Sequence, residues 1–189
     1  WIWHISRCEE GDVDAIAVRA RAVGLTHVLV KVADGTNAFN GTTAKPLCDA
    51  LRMHGVKPWS WSYVYGDDPE KEATLFGRRS LECGVVGLAV DAEGDRYTNS
   101  AQRAKRFMTR LRDVVGPDLH ISLSTHRFPT NFPTIPFKTF MAKCDSAMPQ
   151  AYYVHQGPGL TAQLERVKRE WDAYGKPIIM TGAAYPEGL

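Results

Sequence analysis

Several common signatures are absent from this sequence, and each absence argues against a class of protein. The 189 residues include only four cysteines and no CxxC pair, which disfavours a zinc knuckle, a redox motif or a disulfide framework. No apolar run reaches the roughly 20 residues needed to cross a bilayer. The net charge of +2 gives no electrostatic reason to expect nucleic acid. We therefore expect neither a membrane nor a nucleic-acid partner.

Motifs for metals and dinucleotides are also missing. There is no HExxH, no HxH on the first predicted strand and no GxGxxG after it. We therefore predict no metal site and no cofactor. The chain begins at Trp1 rather than Met, which leaves open a lost signal peptide and a secreted or phage-associated protein.

Short β-rich runs alternate with amphipathic stretches along the whole chain. The predicted strands cover 1–6, 26–33, 57–65, 85–93, 120–126, 147–154 and 177–184. The predicted helices cover 12–23, 43–54, 100–115 and 161–174, with another that begins at Asp68–Pro69 and a short one that ends near Cys144. This alternation predicts an α/β fold with a parallel sheet.

Two architectures fit the alternation: an open doubly wound sheet and a (β/α)8 TIM-barrel-like fold. Predicted strand four favours the barrel, because one face is apolar throughout and the other is small at first, then acidic at Asp91 and Glu93. A full barrel needs about 250 residues, and only about seven strands can be counted here. We therefore predict a single barrel domain over 1–189 that lacks its last βα unit at the C-terminus.

The strongest candidate for chemistry is the acid pair at the end of strand four. Residues two apart on a strand face the same side, so Asp91 and Glu93 are expected to lie together, with Cβ atoms about 6–7 Å apart. Two converging carboxylates suit glycosidic chemistry, because the charge of one favours a proton on the other. The alternative is a pair of loop-edge acids that cap a helix or pair with Arg96.

Several segments resemble family 25 lysozymes and a little-characterised group of glycosyl-hydrolase-like barrels from bacteria and phages. The run VDAEG is similar to the DxE of strand four in these barrels. Further similar segments are VLVKVADG, GVKPWSWSYVYG, GLAVDAEGDRY, SLSTHRFP, MPQAYY and PIIMTGAAY, so the resemblance extends over nearly the whole chain.

This resemblance implies a general acid/base role for Glu93 and an assisting role for Asp91. Family 25 lysozymes also have an aspartate at the end of strand one and an acid at the end of strand six. This sequence has His4-Ile5-Ser6 and Gln150 with Tyr152 at those places. In glycosidases that use the N-acetyl group of their substrate, Gln and Tyr near a DxE hold that group, so these departures leave carbohydrate chemistry open.

Other polar and aromatic residues are expected at the same end of the barrel. Lys31 should point inwards from strand two, where it binds substrate, forms a Schiff base or neutralises the acids. Tyr63 and Tyr65 suit stacking on sugar rings, whereas core packing is favoured for Trp59 and Trp61. The remaining candidates for substrate binding, each unremarkable alone, are His4, His126, Gln150, Tyr152 and Tyr185.

Three functions compete on this evidence. The first is a glycoside hydrolase that acts on a polysaccharide, possible substrates being N-acetyl-sugar polymers of the peptidoglycan or chitin type. The second is a non-catalytic carbohydrate-binding barrel, which keeps the aromatic groove without needing tuned acids. The third is a lyase that forms a Schiff base through Lys31.

Overall fold

The computed structural model describes residues 1–94, 97–152 and 159–183, and strands alternate with helices as predicted. The strands are β1 (His27–Asp34), β2 (Asn37–Ala38), β3 (Lys57–Tyr63), β4 (Gly87–Asp91), β5 (His120–His126) and β6 (Ser146–Gln150). The helices are α1 (Val13–Ala22), α2 (Ala44–Met53), α3 (Pro69–Glu82), α4 (Ala101–Val115), α5 (Phe137–Met141) and α6 (Leu160–Asp172). Short 3₁₀ turns lie at Ile5–Arg7, Glu9–Gly11 and Pro129–Asn131.

The strands form one sheet in the order β2-β1-β3-β4-β5-β6. Strands β1, β3, β4, β5 and β6 are parallel, and helices connect them, which is the arrangement of repeated βα units. The two-residue β2 is antiparallel to β1 and follows a tight turn at Gly35, whose φ of 56° suits glycine. The predicted parallel α/β sheet is therefore confirmed.

The two outermost predicted strands are much shorter than the sequence suggests. Predicted strand one, 1–6, is reduced to an isolated bridge between Ile2 and Val30, and predicted strand seven, 177–184, to bridges at Ile178 and Thr181. The part of 177–184 after 183 lies outside the described residues. Within the described ranges the sheet does not close into a complete barrel, so its two outer edges remain separate.

A side chain replaces the missing strand one. The Asn40 amide donates to the backbone carbonyls of Trp3 and Lys31 at 2.8 and 2.9 Å, and its oxygen accepts the Ile5 N–H at 3.2 Å. These bonds satisfy backbone groups that a strand ladder would otherwise pair. The segment after Ile2 can therefore turn into the 3₁₀ turn and still remain attached to β1.

Local helix signals in the sequence are confirmed. The Asp12 carboxylate accepts the backbone N–H groups of Asp14 and Ala15 at 2.9 and 3.0 Å at the start of α1. Asp68 accepts from Lys71 at 3.3 Å and precedes the proline that opens α3. These caps satisfy donors that have no partner inside the helix, so short polar residues fix where each helix begins.

The two faces of the sheet carry different cores. The outer face packs on the helices through residues such as Val30, Leu88, Val90, Ile121 and Leu123, all of them fully buried. The inner face holds a small second cluster made of Leu29, Trp59, Trp61, Ala89 and Met148. The inner side chains therefore fill the concave side of a curved parallel sheet, as in a TIM barrel, and leave its C-terminal end for the site.

Candidate functional site

The acid pair lies where β4 ends, on the concave side of the sheet. Every residue of β4 is buried, and Asp91, its last residue, has only 8% of its surface exposed. Glu93 follows two residues later and is partly exposed. Neither acid caps α4, because Ser100 does so, and the alternative partner Arg96 lies outside the described residues.

One amide group joins the two acids. The Gln150 side chain, at the end of β6, donates from Nε2 to Asp91 Oδ1 at 3.1 Å and also to Glu93 Oε1. The same nitrogen lies 3.4 Å from the hydroxyl oxygen of Ser124 on β5. Three neighbouring strands and the loop after β4 therefore fix the carboxylates side by side.

Burial raises the pKa of Asp91 well above its ordinary range. The negative charge of Glu93 and a hydrogen bond between the two acids raise this pKa further, while the positive charge of Lys31 and the Ser124 hydroxyl oppose the increase. Two carboxyl groups that share a buried site retain a proton because both cannot ionise without strong repulsion. The pair is therefore able to hold one proton near the pH at which exposed acids have lost theirs.

A bulge in β1 brings two further charges to the site. The pairing with β3 shifts register between Lys31 and Ala33, so that Lys31 lies opposite Trp61 and Asp34 opposite Tyr63. Residues three apart on a regular strand face opposite sides, and the bulge reverses this. The Lys31 ammonium can consequently pair with Asp34 Oδ1 at 3.3 Å on the concave side.

An open cavity of about 570 Å³ adjoins these groups. Aromatic rings form much of its wall, and the polar groups converge on one side of it, a combination typical of small-molecule and sugar sites. The residues that line it are Trp1, Trp3, Lys31, Asp34, Trp61, Tyr63, Tyr65, Asp91, Glu93, Ser124, Gln150 and Tyr152.

Most of the predicted site residues meet at this cavity. Asp91, Glu93, Lys31, Tyr63, Tyr65, Gln150 and Tyr152 all line it. His126 lies instead in an adjoining cavity of about 330 Å³, which shares Gln150 and Tyr152 with the first, and its ring stacks on Phe132. Burial lowers the pKa of His126, and the nearby charge of Glu93 partly opposes this.

Among the described residues, one predicted substrate-binding residue lies outside both cavities. His4 stacks on Trp3, with ring centroids 5.8 Å apart, and is not among the residues that line the cavity, because predicted strand one is replaced by a turn. The prediction for His4 is therefore not supported by its position. Tyr185 lies outside the described residues.

Sequence reasoning missed Trp1, Trp3, Asp34, Trp61 and Ser124. Core packing is the expectation from the sequence for Trp61. However, Trp61 and Tyr63 are two residues apart on β3 and so face the same side of the sheet, which could have placed Trp61 at the cavity. Ser124 likewise shares the parity of His126 on β5. Asp34 could not be found by parity, because the bulge that turns it inwards leaves no mark in the alternation.

A larger surface cavity lies elsewhere, on the outer side of α3 and α4. It has about 1250 Å³ and is lined by long charged side chains, including the ion pair of Arg106 with Glu70 at 2.8 Å, and by no aromatic ring. Its size reflects an open groove between exposed side chains. The smaller cavity holds the paired carboxyl groups, the Lys31 ammonium and several aromatic rings, so it is the candidate functional site.

Among the described residues, no group of three or more His, Cys, Asp or Glu side chains is arranged to hold a metal ion. In the same residues, no helix is both long and apolar enough to span a bilayer. All four cysteines are free thiols, of which Cys48, Cys83 and Cys144 are buried.

Comparison with protein-family models and with curated proteins finds no match. Solved structures do match. The spore cortex-lytic enzyme SleL of Bacillus cereus aligns at 13% identity with a TM-score of 0.68, over 89% of this chain and 46% of that one. A GH18 chitinase of Cycas revoluta in complex with (GlcNAc)4 aligns at 16% identity with a TM-score of 0.63, over 93% and 64%.

The chitinase domain of the spore coat protein CotE from Clostridium difficile aligns at 16% identity with a TM-score of 0.61, over 87% of this chain and 61% of that one. This chain thus spans less than two thirds of the length of each of these proteins. At such low identity the likeness establishes the fold alone. The chain has the TIM-barrel-like α/β fold of glycoside hydrolases such as the GH18 chitinases.

Proposed function

We propose that this chain is a glycoside hydrolase that acts on a polysaccharide of N-acetyl sugars, of the chitin or peptidoglycan type. Glu93 is the general acid and base, and Asp91 assists it. The observation that carries the proposal is the carboxyl pair, joined by the Gln150 amide and open to an aromatic cavity at the C-terminal end of a parallel sheet. Active sites of TIM-barrel enzymes lie at this end.

The proposed chemistry begins when the proton shared by the Asp91–Glu93 pair passes through Glu93 to the glycosidic oxygen, as the bond from that oxygen to the anomeric carbon breaks. Family 18 glycosidases are among those in which the acetamide group of the substrate acts in place of an enzyme nucleophile. In the same way, the acetamide oxygen would bond to the anomeric carbon, and Asp91 would orient the acetamide. Water then opens this intermediate, and Glu93 takes the proton back.

The cavity wall supports a sugar substrate. Tyr63 and Tyr65, with ring centroids 4.8 Å apart, lie at the mouth, and Trp3 is 57% exposed. The apolar C–H faces of sugar rings pack on such aromatic surfaces. The structural neighbours agree with this class, since they include chitinases, one of them in complex with (GlcNAc)4, and a spore cortex-lytic enzyme.

The test is the Glu93→Gln variant, assayed on chitin oligosaccharides and on purified peptidoglycan. We expect hydrolysis to fall by about 10²- to 10⁴-fold, the usual contribution of a general acid, while oligosaccharide binding is retained. Glu82→Gln is the matched control, because Glu82 is 58% exposed on α3 and far from the cavity in the fold. Unchanged hydrolysis by Glu93→Gln would refute the assignment.

A non-catalytic carbohydrate-binding barrel is the second candidate. One observation favours it. The Gln150 amide donates hydrogen bonds to both acids, so the Glu93 carboxyl group already has a hydrogen-bond partner, whereas a catalytic acid must be free to contact the substrate. In this case the protein would bind N-acetyl-sugar oligomers without turnover. Binding by calorimetry that is equal in the native protein and Glu93→Gln, with no released sugar from either, would select this function.

The surroundings of Lys31 argue against a Schiff-base lyase. A lysine nucleophile must reach a carbonyl carbon, but the Lys31 Nζ lies 3.3 Å from Asp34 Oδ1 and 4.5 and 4.8 Å from the ring centres of Trp3 and Trp61, and only 1% of the residue is exposed. The dihydrodipicolinate synthase of Rhodopseudomonas palustris aligns at only 12% identity with a TM-score of 0.52, which concerns the fold alone. Borohydride trapping with a set of small carbonyl compounds, followed by mass spectrometry of Lys31, tests this candidate directly.

A further inference from the structure

Lys31 is a buried charge in an unusual cage. Only 1% of its surface is exposed, and its Nζ lies 4.5 Å from the ring centre of Trp3, 4.6 Å from that of Phe39 and 4.8 Å from that of Trp61. Each distance is within the range of a cation–π interaction. Together with the Asp34 carboxylate at 3.3 Å, these rings compensate the loss of water around the ammonium.

Hydrogen bonds to the neighbouring backbone hold the cage in place. The indole N–H of Trp61 donates to the Ile2 carbonyl at 3.0 Å, and Asn40 holds the Trp3 and Lys31 carbonyls. The two-residue strand β2 then leads from Asp34 to Phe39, whose N–H donates to the Val32 carbonyl at 3.0 Å. The lysine side chain has little freedom to leave its place.

The charges of the cavity are strongly unequal. Three carboxyl groups line it, those of Asp34, Asp91 and Glu93, whereas Lys31 is the one cationic side chain among its described lining residues. Asp34 takes up part of the lysine charge through their direct contact. What remains acts on the acid pair, and the electrostatic influence of Lys31 on Asp91 has the sign that favours the ionised acid.

We propose that Lys31 is a positioning residue whose caged ammonium supplies the fixed positive charge that holds the Asp91–Glu93 pair in its singly protonated state. The role rests on the proposed function only for its consequence in catalysis, since the charge acts on the pair whether or not a glycan is hydrolysed. Without this charge, the pair would bind its protons at higher pH. With the Lys31 charge present, there is a pH range in which one acid of the pair is ionised while the other still carries a proton that it can donate.

Other titratable groups also face the pair and must be followed in the test. Asp34 comes from β1, Tyr63 and Tyr65 from β3 and the segment after it, and His126 from the end of β5. Tyr152 follows β6. An ordinary phenol titrates at about pH 10, so His126 is the group whose titration must be followed beside that of the pair.

The experiment is a titration of the carboxyl carbons by ¹³C NMR in the ligand-free chain of residues 1–189, with the signal of Asp91 assigned by its loss in Asp91→Asn. In Lys31→Met, which keeps the length of the side chain but not the charge, we expect the midpoint of the Asp91–Glu93 titration to move up by about one pH unit. In Lys31→Arg the midpoint should stay within a few tenths of the native one. Lys45→Met, at an exposed lysine on α2, is the control and should change nothing.

Catalysis supplies the second readout. Both limbs of the profile of kcat/KM against pH should move to higher pH in Lys31→Met, and Lys31→Arg should restore them. A purely structural role would lower the whole profile without moving it. If Lys31→Met does not fold, Asp34→Asn decides, because removal of this negative charge should move the NMR midpoint to lower pH.

The outcomes separate this inference from the proposed function. Unmoved carboxyl midpoints in both Lys31→Met and Asp34→Asn would overturn the role of Lys31, whatever the activity. A shifted midpoint in a protein that hydrolyses no glycan would support the role and count against the hydrolase. A pH profile that shifts together with the NMR midpoint would support both.

Discussion

The concave side of the sheet is built differently at its two ends. At the N-terminal end the Trp59 ring covers Gly87 and is flanked by the rings of His27 and His120, with ring centroids 6.2 and 5.1 Å away. At the C-terminal end the same strands present carboxyl groups, an ammonium and an open cavity. One end therefore contributes close packing and the other contributes chemistry, a division that is general in parallel barrels.

A carboxyl group near each end makes the contrast sharper. Burial alone would raise the pKa of Asp145, just before β6, but the Ile121 N–H at 2.8 Å and the Arg112 guanidinium at 3.1 Å outweigh it and lower this pKa. At the other end, burial and Glu93 raise the pKa of Asp91. The first acid is placed to stabilise the fold as an anion, whereas the second is placed to keep a proton.

The largest effect on stability is expected at the packed end, from Gly87→Ala. A Cβ at this position would lie 2.6 Å from the Trp59 ring, and the ring has little room to move because two histidines flank it. Overpacking of this kind costs about 1–3 kcal/mol of unfolding free energy. Urea denaturation measures this loss, and activity of the folded fraction should remain.

Gly182→Ala is the matched control for that substitution. No heavy atom lies within 4 Å of a Cβ at Gly182 among the described residues, so its effect should be at most about 0.5 kcal/mol. Equal stability of Gly87→Ala and the native protein would show that the N-terminal end is loosely packed, and the contrast between the two ends would fail.

The sequence predicted those features that depend on local patterns. The caps at Asp12 and Asp68 depend on a few neighbouring residues, and so does the alternation that puts Asp91 and Glu93 on one side of β4; the structure has both features. The same holds for the alternation of strands and helices, which predicted a parallel α/β fold, and for the acidic end of predicted strand four, which favoured the TIM-barrel-like architecture.

The features that were missed depend on contacts between distant residues. The run at 1–6 has strand-like composition, but Asn40, more than 30 residues away in sequence, takes over its backbone hydrogen bonds. In 177–184, pairing with β6 is interrupted because Pro149 and Pro177 have no N–H to donate. The bulge that turns Asp34 inwards is likewise invisible in the alternation, so sequence patterns identified the acids but not their whole surroundings.

At the C-terminal end of the sheet, Asp91→Asn is expected to change the unfolding free energy by a smaller amount and with the opposite sign, so that the protein becomes more stable. Because the pKa of Asp91 is raised on folding, the native state binds more protons, and this group weakens the fold as pH rises from about 4 through its folded-state pKa. Asparagine carries no such charge and can still accept from Gln150. We expect the variant to be about 1 kcal/mol more stable at neutral pH and equal to the native protein near pH 3, as measured by urea denaturation at both.

Asp145→Asn provides the reverse case for the same measurement. Its carboxylate has a lowered pKa, so it stabilises the fold above the unfolded-state pKa and this contribution is lost as pH falls. The substitution should therefore destabilise the protein at neutral pH and have little effect in acid. If both substitutions destabilised the protein to the same extent, the two ends would not differ in the way that we infer.

The smallest effect is expected from Tyr65→Phe at the cavity mouth. The Tyr65 hydroxyl donates to Asp34 Oδ1 at 3.3 Å, but the residue is 42% exposed, so water can replace the lost bond. The aromatic ring and its contact with Tyr63 remain in the variant. We expect the unfolding free energy to change by at most about 0.5 kcal/mol, and a loss above about 1.5 kcal/mol would mean that the mouth also serves the stability of the fold. In the variant, Asp34 would be free to turn fully to Lys31. Calorimetric titration with chitin oligosaccharides should therefore show a change in binding free energy that is larger than the change in unfolding free energy. Such a result would indicate that the Tyr65 hydroxyl serves ligand binding rather than the stability of the core.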